Sequence, residues 1–175
     1  MDTYDDLYNK YLGNNDNLVT VDSGECGVSF SDEFDMGTFG LGPCISITAS
    51  LELRDNDPSK KNTFARFISH TVDNYGFDSF ESFIDSVPGD SVENANVYIS
   101  SGLSCQPKCK NCVAGELAVA IKQKMESAGI SNYNVQRKTA FYAKVLENGK
   151  CTFANKALTL QHLDDVGATL DLYEM

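Results

Sequence analysis

Apolar and polar positions alternate in two neighbouring stretches of the chain. Cys44-Ile45-Ser46-Ile47-Thr48-Ala49-Ser50-Leu51-Glu52-Leu53 sets apolar residues against small or polar ones with the period of two that a half-buried strand requires. The run Asp55-Asn56-Asp57-Pro58-Ser59-Lys60-Lys61-Asn62 concentrates turn-forming residues, and Thr63 to His70 reads as a second strand returning antiparallel to the first. Such a hairpin carries His70 back toward Cys44. Helical spacing takes over at Asp78 to Val87, where Phe80, Phe83, Ile84 and Val87 share a face and Pro88-Gly89 ends the helix. Val113 to Ala128 is a longer helix, with Leu117, Ala120, Ile121 and Met125 on one face and Gly129 just past its end. Leu18 to Val21, Gly27 to Phe30, Asn96 to Ser101 and Tyr133 to Arg137 read as further strands. Phe141 to Leu146 and Cys151 to Ala154 flank Asn148-Gly149, a hairpin signal. Gly37 to Gly42 reads as a glycine-rich turn, Asn14 to Asn17 as a polar loop, and Leu158 to Leu172 has mixed helical periodicity. The elements predict an α/β domain of the α+β kind, with a mixed, mostly antiparallel sheet and two principal helices. They do not alternate regularly enough for a doubly wound fold.

Composition narrows the picture. At 175 residues and 42% hydrophobic, residues 1–175 are expected to form one domain with a substantial core, and residues 1–17 to be flexible. Lys and Arg number 14 against 25 Asp and Glu, a net charge of -11, which repels phosphate backbones and anionic lipid and excludes nucleic acid as an expected partner. Met1 to Asn17 lacks the basic start and apolar stretch of a signal peptide, and no later run is long enough to span a bilayer. The expectation is therefore a monomer without membrane insertion, either cytoplasmic or delivered into a host cytosol by a route without a standard signal. Six irregularly spaced cysteines in a chain of this size are expected to be free thiols.

One pairing of residue types carries chemistry. A cysteine nucleophile needs a base or cation beside the thiol and donors for the oxyanion formed when a carbonyl is attacked. Gly40 and Gly42, just before Cys44, allow positive φ and close approach of backbone N–H groups to a substrate. His70, returned by the hairpin, suits a general base, and His162 is the sole other histidine. By composition and spacing alone the pair reads as a small buried cysteine and a strand-end histidine bonded to a backbone carbonyl.

The run Thr38-Phe39-Gly40-Leu41-Gly42-Pro43-Cys44 resembles the Thr-Leu-Gly-Leu-Gly-Ser-Cys type of motif that opens the active site of the chemoreceptor glutamine deamidase CheD. The resemblance extends over the order of elements from about Thr38 to Ala154, and the same catalytic arrangement occurs in the catalytic domain of cytotoxic necrotizing factor. It implies a CheD-like core over residues 38–154, with Cys44 as nucleophile, His70 as base and Thr38 as the orienting third member. It implies a cysteine-dependent protein glutamine deamidase, with transglutaminase activity open to the same thioester, acting on a protein substrate without any cofactor. Departures from the motif point to a divergent toxin or effector. Here Thr71-Val72-Asp73 follows the histidine, and Pro43 replaces serine, so position 43 has no N–H to offer an oxyanion.

Other constellations compete less well. Cys105, Cys109 and Cys112 satisfy an iron-sulfur spacing, yet the chain lacks the barrel and the position that radical chemistry would need. A structural zinc held by these three with Cys26, Cys151 or His162 would make the chain a zinc-stabilised interaction module, and a catalytically inactive binding domain is the other alternative. Asp32-Glu33-Phe34-Asp35 and Asp164-Asp165 lack calcium-loop spacing and read as solvated surface.

Overall fold

The computed structural model describes residues 18–31, 33–72, 75–102 and 112–154, together with the strand Leu172–Glu174. In chain order the elements are β1 (Leu18–Thr20), β2 (Glu25–Ser29), β3 (Asp35–Phe39), β4 (Ile45–Leu53), β5 (Thr63–His70), α1 (Tyr75–Asp85), β6 (Val92–Ser101), α2 (Val113–Ser127), β7 (Tyr133–Thr139), β8 (Tyr142–Val145), β9 (Cys151–Ala154) and β10 (Leu172–Glu174). They form two five-stranded sheets. The inner sheet runs β2-β5-β4-β6-β7 and the outer sheet β1-β3-β8-β9-β10. Only β1 with β3 and β6 with β7 pair parallel among the described strands; the rest are antiparallel. The α+β class and the mostly antiparallel sheets thus agree with the hydrophobic pattern, and no described helix is long and apolar enough to cross a membrane.

Strand alternation divides the interior into two cores on opposite faces of the inner sheet. Ile47, Ala49 and Leu51 of β4 and Ala65 and Phe67 of β5 meet Phe80, Phe83 and Ile84 of α1 and Leu117, Ile121 and Met125 of α2. Phe67 stands edge-on to Phe80 at 5.6 Å and stacks on Phe83 at 5.4 Å. The opposite face of the same strands looks at the outer sheet. There Ile68 and Tyr98 pack with Met36, Ala143, Val145, Cys151 and Phe153. The architecture is therefore three layers: helices, inner sheet, outer sheet.

The β4–β5 hairpin turns where the sequence implies, and its register runs from Leu53 opposite Thr63 to Thr48 opposite Ile68. At the far end Ile45 and Thr71 exchange both backbone hydrogen bonds, at 2.7 and 3.0 Å. Between these points the strands part, because the Ile47 N–H donates to the Ser69 hydroxyl at 2.9 Å. The Asn148-Gly149 hairpin also forms, with Gly149 at φ 80. Two expectations change. The glycine-rich stretch from Gly37 is strand as far as Phe39, and all five residues of β3 are buried because the outer sheet pairs it on both edges, with β1 and β8. Free thiols hold for Cys26, Cys44 and Cys151, whereas Cys112 is disulfide-bonded. Residues 1–17, most of the tail from Leu158, Cys105, Cys109, His162 and Asp32 lie outside the described residues.

Candidate active site

Thr38 and His70 meet between the two sheets, and the strand register brings Cys44 toward them. Along β5 the side chains of Ala65 and Phe67 face the helices, so Ile68 and His70 face the outer sheet. Along β4 the same alternation turns Ser46, Thr48 and Ser50 toward the outer sheet, and Cys44, two residues before Ser46, continues that row. The Ile45–Thr71 bridge sets Ser46 across from His70, which makes Cys44 and His70 diagonal neighbours on one face. Thr38 reaches them from the other layer. It lies in the middle of β3 opposite Ala143, and its hydroxyl stands 2.7 Å from Nδ1 of His70.

The direction of that bond follows from a second one. The Thr38 hydroxyl donates its proton to the carbonyl of Val21 at 2.8 Å, and a carbonyl can only accept. The hydroxyl oxygen therefore accepts from His70, which places the ring proton on Nδ1 and leaves the lone pair on Nε2. Thr38 is fully buried and His70 is 4% exposed, so both groups depend on these bonds for their polar satisfaction. Burial lowers the His70 pKa below the ordinary 6.5, and the negative charge of Asp22 partly opposes it. Near neutral pH the imidazole is thus neutral, with Nε2 as an acceptor.

Cys44 is 8% exposed, and its sulfur lies 4.0 Å from the Ser23 hydroxyl. Burial pushes the Cys26 thiol up, against a hydrogen bond from Ser79, and that of Cys151 up to about 12, against the charge of Arg66. Gly40 has φ 73, the left-handed conformation expected of it. Gly42 does not share it, but a side chain there would meet nothing within 4 Å, so its backbone borders open space.

A fourth component was not foreseen. The turn Val21-Asp22-Ser23-Gly24 touches every member of the trio: the Val21 carbonyl accepts from Thr38, Ser23 meets Cys44, and the Gly24 N–H donates to the His70 carbonyl at 2.6 Å. Its Asp-Ser-Gly run is a recognisable turn, but its place beside residues 38 to 70 arises from β1 and β2 joining different sheets, which no local pattern encodes. The zinc reading loses one ligand, since a disulfide-bonded Cys112 offers no thiolate; instead its sulfur caps α2, accepting from the Gly115 N–H at 3.4 Å. Ser100, fully buried opposite Ser46, has no hydrogen-bond partner for its hydroxyl among the described residues. Compared with known families and with curated proteins, the chain matches no family model and no curated sequence.

Proposed function

We propose that this chain is a cysteine-dependent protein glutamine deamidase, with Cys44 as nucleophile, His70 as general base and acid, and Thr38 as the residue that orients His70. The observation that carries the reading is the relay from His70 Nδ1 to the Thr38 hydroxyl and on to the Val21 carbonyl, at 2.7 and 2.8 Å. It gives a buried histidine one tautomer, with a basic Nε2 on the sheet face that Cys44 shares. An Asp or Asn fills that role in other nucleophile–histidine sites. The resemblance of Thr38 to Cys44 to the CheD motif names the reaction class. In it the Cys44 thiolate attacks the side-chain amide carbon of glutamine after Nε2 takes the thiol proton. The tetrahedral intermediate collapses as Nε2–H protonates the departing nitrogen, and ammonia leaves a thioester on Cys44. Water, deprotonated by Nε2, then attacks the thioester, expels the thiolate and leaves glutamate. An amine arriving before water would give a transglutaminase product. The reading carries a protein substrate, a monomeric enzyme and action in a cytosol, the cell's own or a host's.

The test is mass spectrometry of lysates treated with the wild-type protein or Cys44→Ser. A gain of roughly one dalton at a glutamine, present only with the wild type, is the expected result. The absence of any Cys44-dependent conversion would return the chain to the interaction-module reading. Thr38→Val is expected to lower the rate on the order of 10²-fold, the lower range for loss of general acid–base catalysis, and Thr38→Ser to restore most of it.

A further inference from the structure

Beyond the Cys44 backbone N–H, the proposed reaction calls for a second oxyanion donor. Attack on an amide carbonyl creates an oxyanion, and donors aimed at it are worth about 10²–10³ in rate each. Pro43 supplies no N–H next to the nucleophile, and Gly42 lacks the left-handed turn that Gly40 adopts. The Ser23 hydroxyl lies 4.0 Å from the Cys44 sulfur. That is the outer limit of a hydrogen bond to sulfur and too long for a strong one. It is compatible with a donor to the oxygen of an attacked carbonyl, which lies two bonds beyond the sulfur and would be held at about 2.7–3.1 Å. Ser23 is exposed while Cys44 is nearly buried, so solvent reaches the residue beside the thiol. Its turn is held in place independently of substrate by the Val21–Thr38 and Gly24–His70 bonds. That is the preorganisation an oxyanion donor needs.

Building on the deamidase reading, we infer that Ser23 is a further catalytic residue, the side-chain donor to the oxyanion that replaces the N–H missing at Pro43. Two reactions of Cys44 separate this role from others. Iodoacetamide alkylates a thiolate by displacement without forming an oxyanion, whereas para-nitrophenyl acetate acylates it through a tetrahedral oxyanion. The full chain and its Ser23→Ala, Ser23→Thr and Ser100→Ala variants are compared for both rates at Cys44, located by peptide mapping. Ser23→Ala is expected to slow acylation by about 10²-fold or more while leaving alkylation within about twofold, with Ser23→Thr recovering most of the loss. Ser100→Ala, which removes a buried hydroxyl without a partner among the described residues, is expected to leave both rates unchanged. Equal slowing of both reactions by Ser23→Ala would overturn the inference, because Ser23 would then act on the thiolate or on the fold. So would no change in either rate, or loss of acylation in Ser100→Ala instead. A wild-type chain in which Cys44 is neither acylated nor alkylated ahead of Cys26 and Cys151 would instead overturn the deamidase reading itself.

Discussion

At the scale of single residues, His70 is the group whose ionisation matters most, and its environment sets the sign. Burial is the largest influence and favours the neutral ring; the charge of Asp22 opposes it but does not reverse it. The folded pKa is therefore below the unfolded value. Between the two, the unfolded chain binds more protons than the folded one, so stability contributed by His70 is fully present above pH 6.5 and is lost as pH falls through the folded pKa. Urea midpoints measured on either side of pH 6.5 are expected to fall toward acid more steeply in the wild type than in His70→Gln, which keeps a donor for Thr38 but no titratable ring. Parallel pH profiles for the two proteins would mean that the ring is not held neutral by the fold. The same shift keeps Nε2 free to accept a proton at pH values where an ordinary histidine is already charged.

At the scale of elements, the site depends on how the end of β5 meets α1. Thr71 and Ser69 face the start of that helix, and a Cβ built on Gly76 would stand 2.6 Å from the Thr71 hydroxyl and 3.1 Å from that of Ser69. Ser69 holds the Ile47 N–H and Thr71 closes the bridge to Ile45, so both hold the strand ends that carry His70 and Cys44. Gly76→Ala is expected to cost about 1–3 kcal/mol by overpacking and to lower the selectivity of iodoacetamide for Cys44 over Cys26. Unchanged selectivity would show that α1 can move without disturbing the strands. Much of this element structure was legible beforehand. The bounds of β5 and β9 match the expected runs Thr63 to His70 and Cys151 to Ala154, each following a turn signal, and the hairpin alone brings His70 toward Cys44. β3 was hidden because Asp35-Met36-Gly37-Thr38-Phe39 is buried at every position, which erases the alternation that marks a half-exposed strand. Its glycine marks no turn: it lies within the strand, and a Cβ there would make only ordinary contacts, with Leu18 at 3.4 Å and the Ala143 carbonyl at 3.6 Å. The turn at Val21 to Gly24 was hidden for a different reason, since parallel pairing of β1 with β3 is a long-range contact that depends on the whole topology.

At the scale of the whole molecule, the trio exists only as long as the two sheets stay packed. His70 lies in the inner sheet, Cys44 directly precedes its strand β4, and Thr38 lies in the outer sheet, so no single hairpin or sheet contains the site. The two cores therefore have different consequences although they have similar composition. Phe153 is 1% exposed in the inter-sheet core, edge-on to Tyr98 at 5.2 Å, and Phe80 is fully buried on the helical side. Truncating either to alanine removes an aromatic ring from a packed interior and is expected to cost about 3–5 kcal/mol. Only Phe153→Ala loosens the layer contact that presses Thr38 against His70. Under conditions where both variants remain folded, the alkylation rate at Cys44 is expected to fall in Phe153→Ala and to hold near the wild-type value in Phe80→Ala, with circular dichroism reporting the fold of each. Equal effects would mean that the Thr38–His70 bond is secured by its own strands and does not depend on the packing between layers. A specific loss in Phe153→Ala would mean instead that the helix-side core supplies stability without setting the site, while the core between the sheets does both.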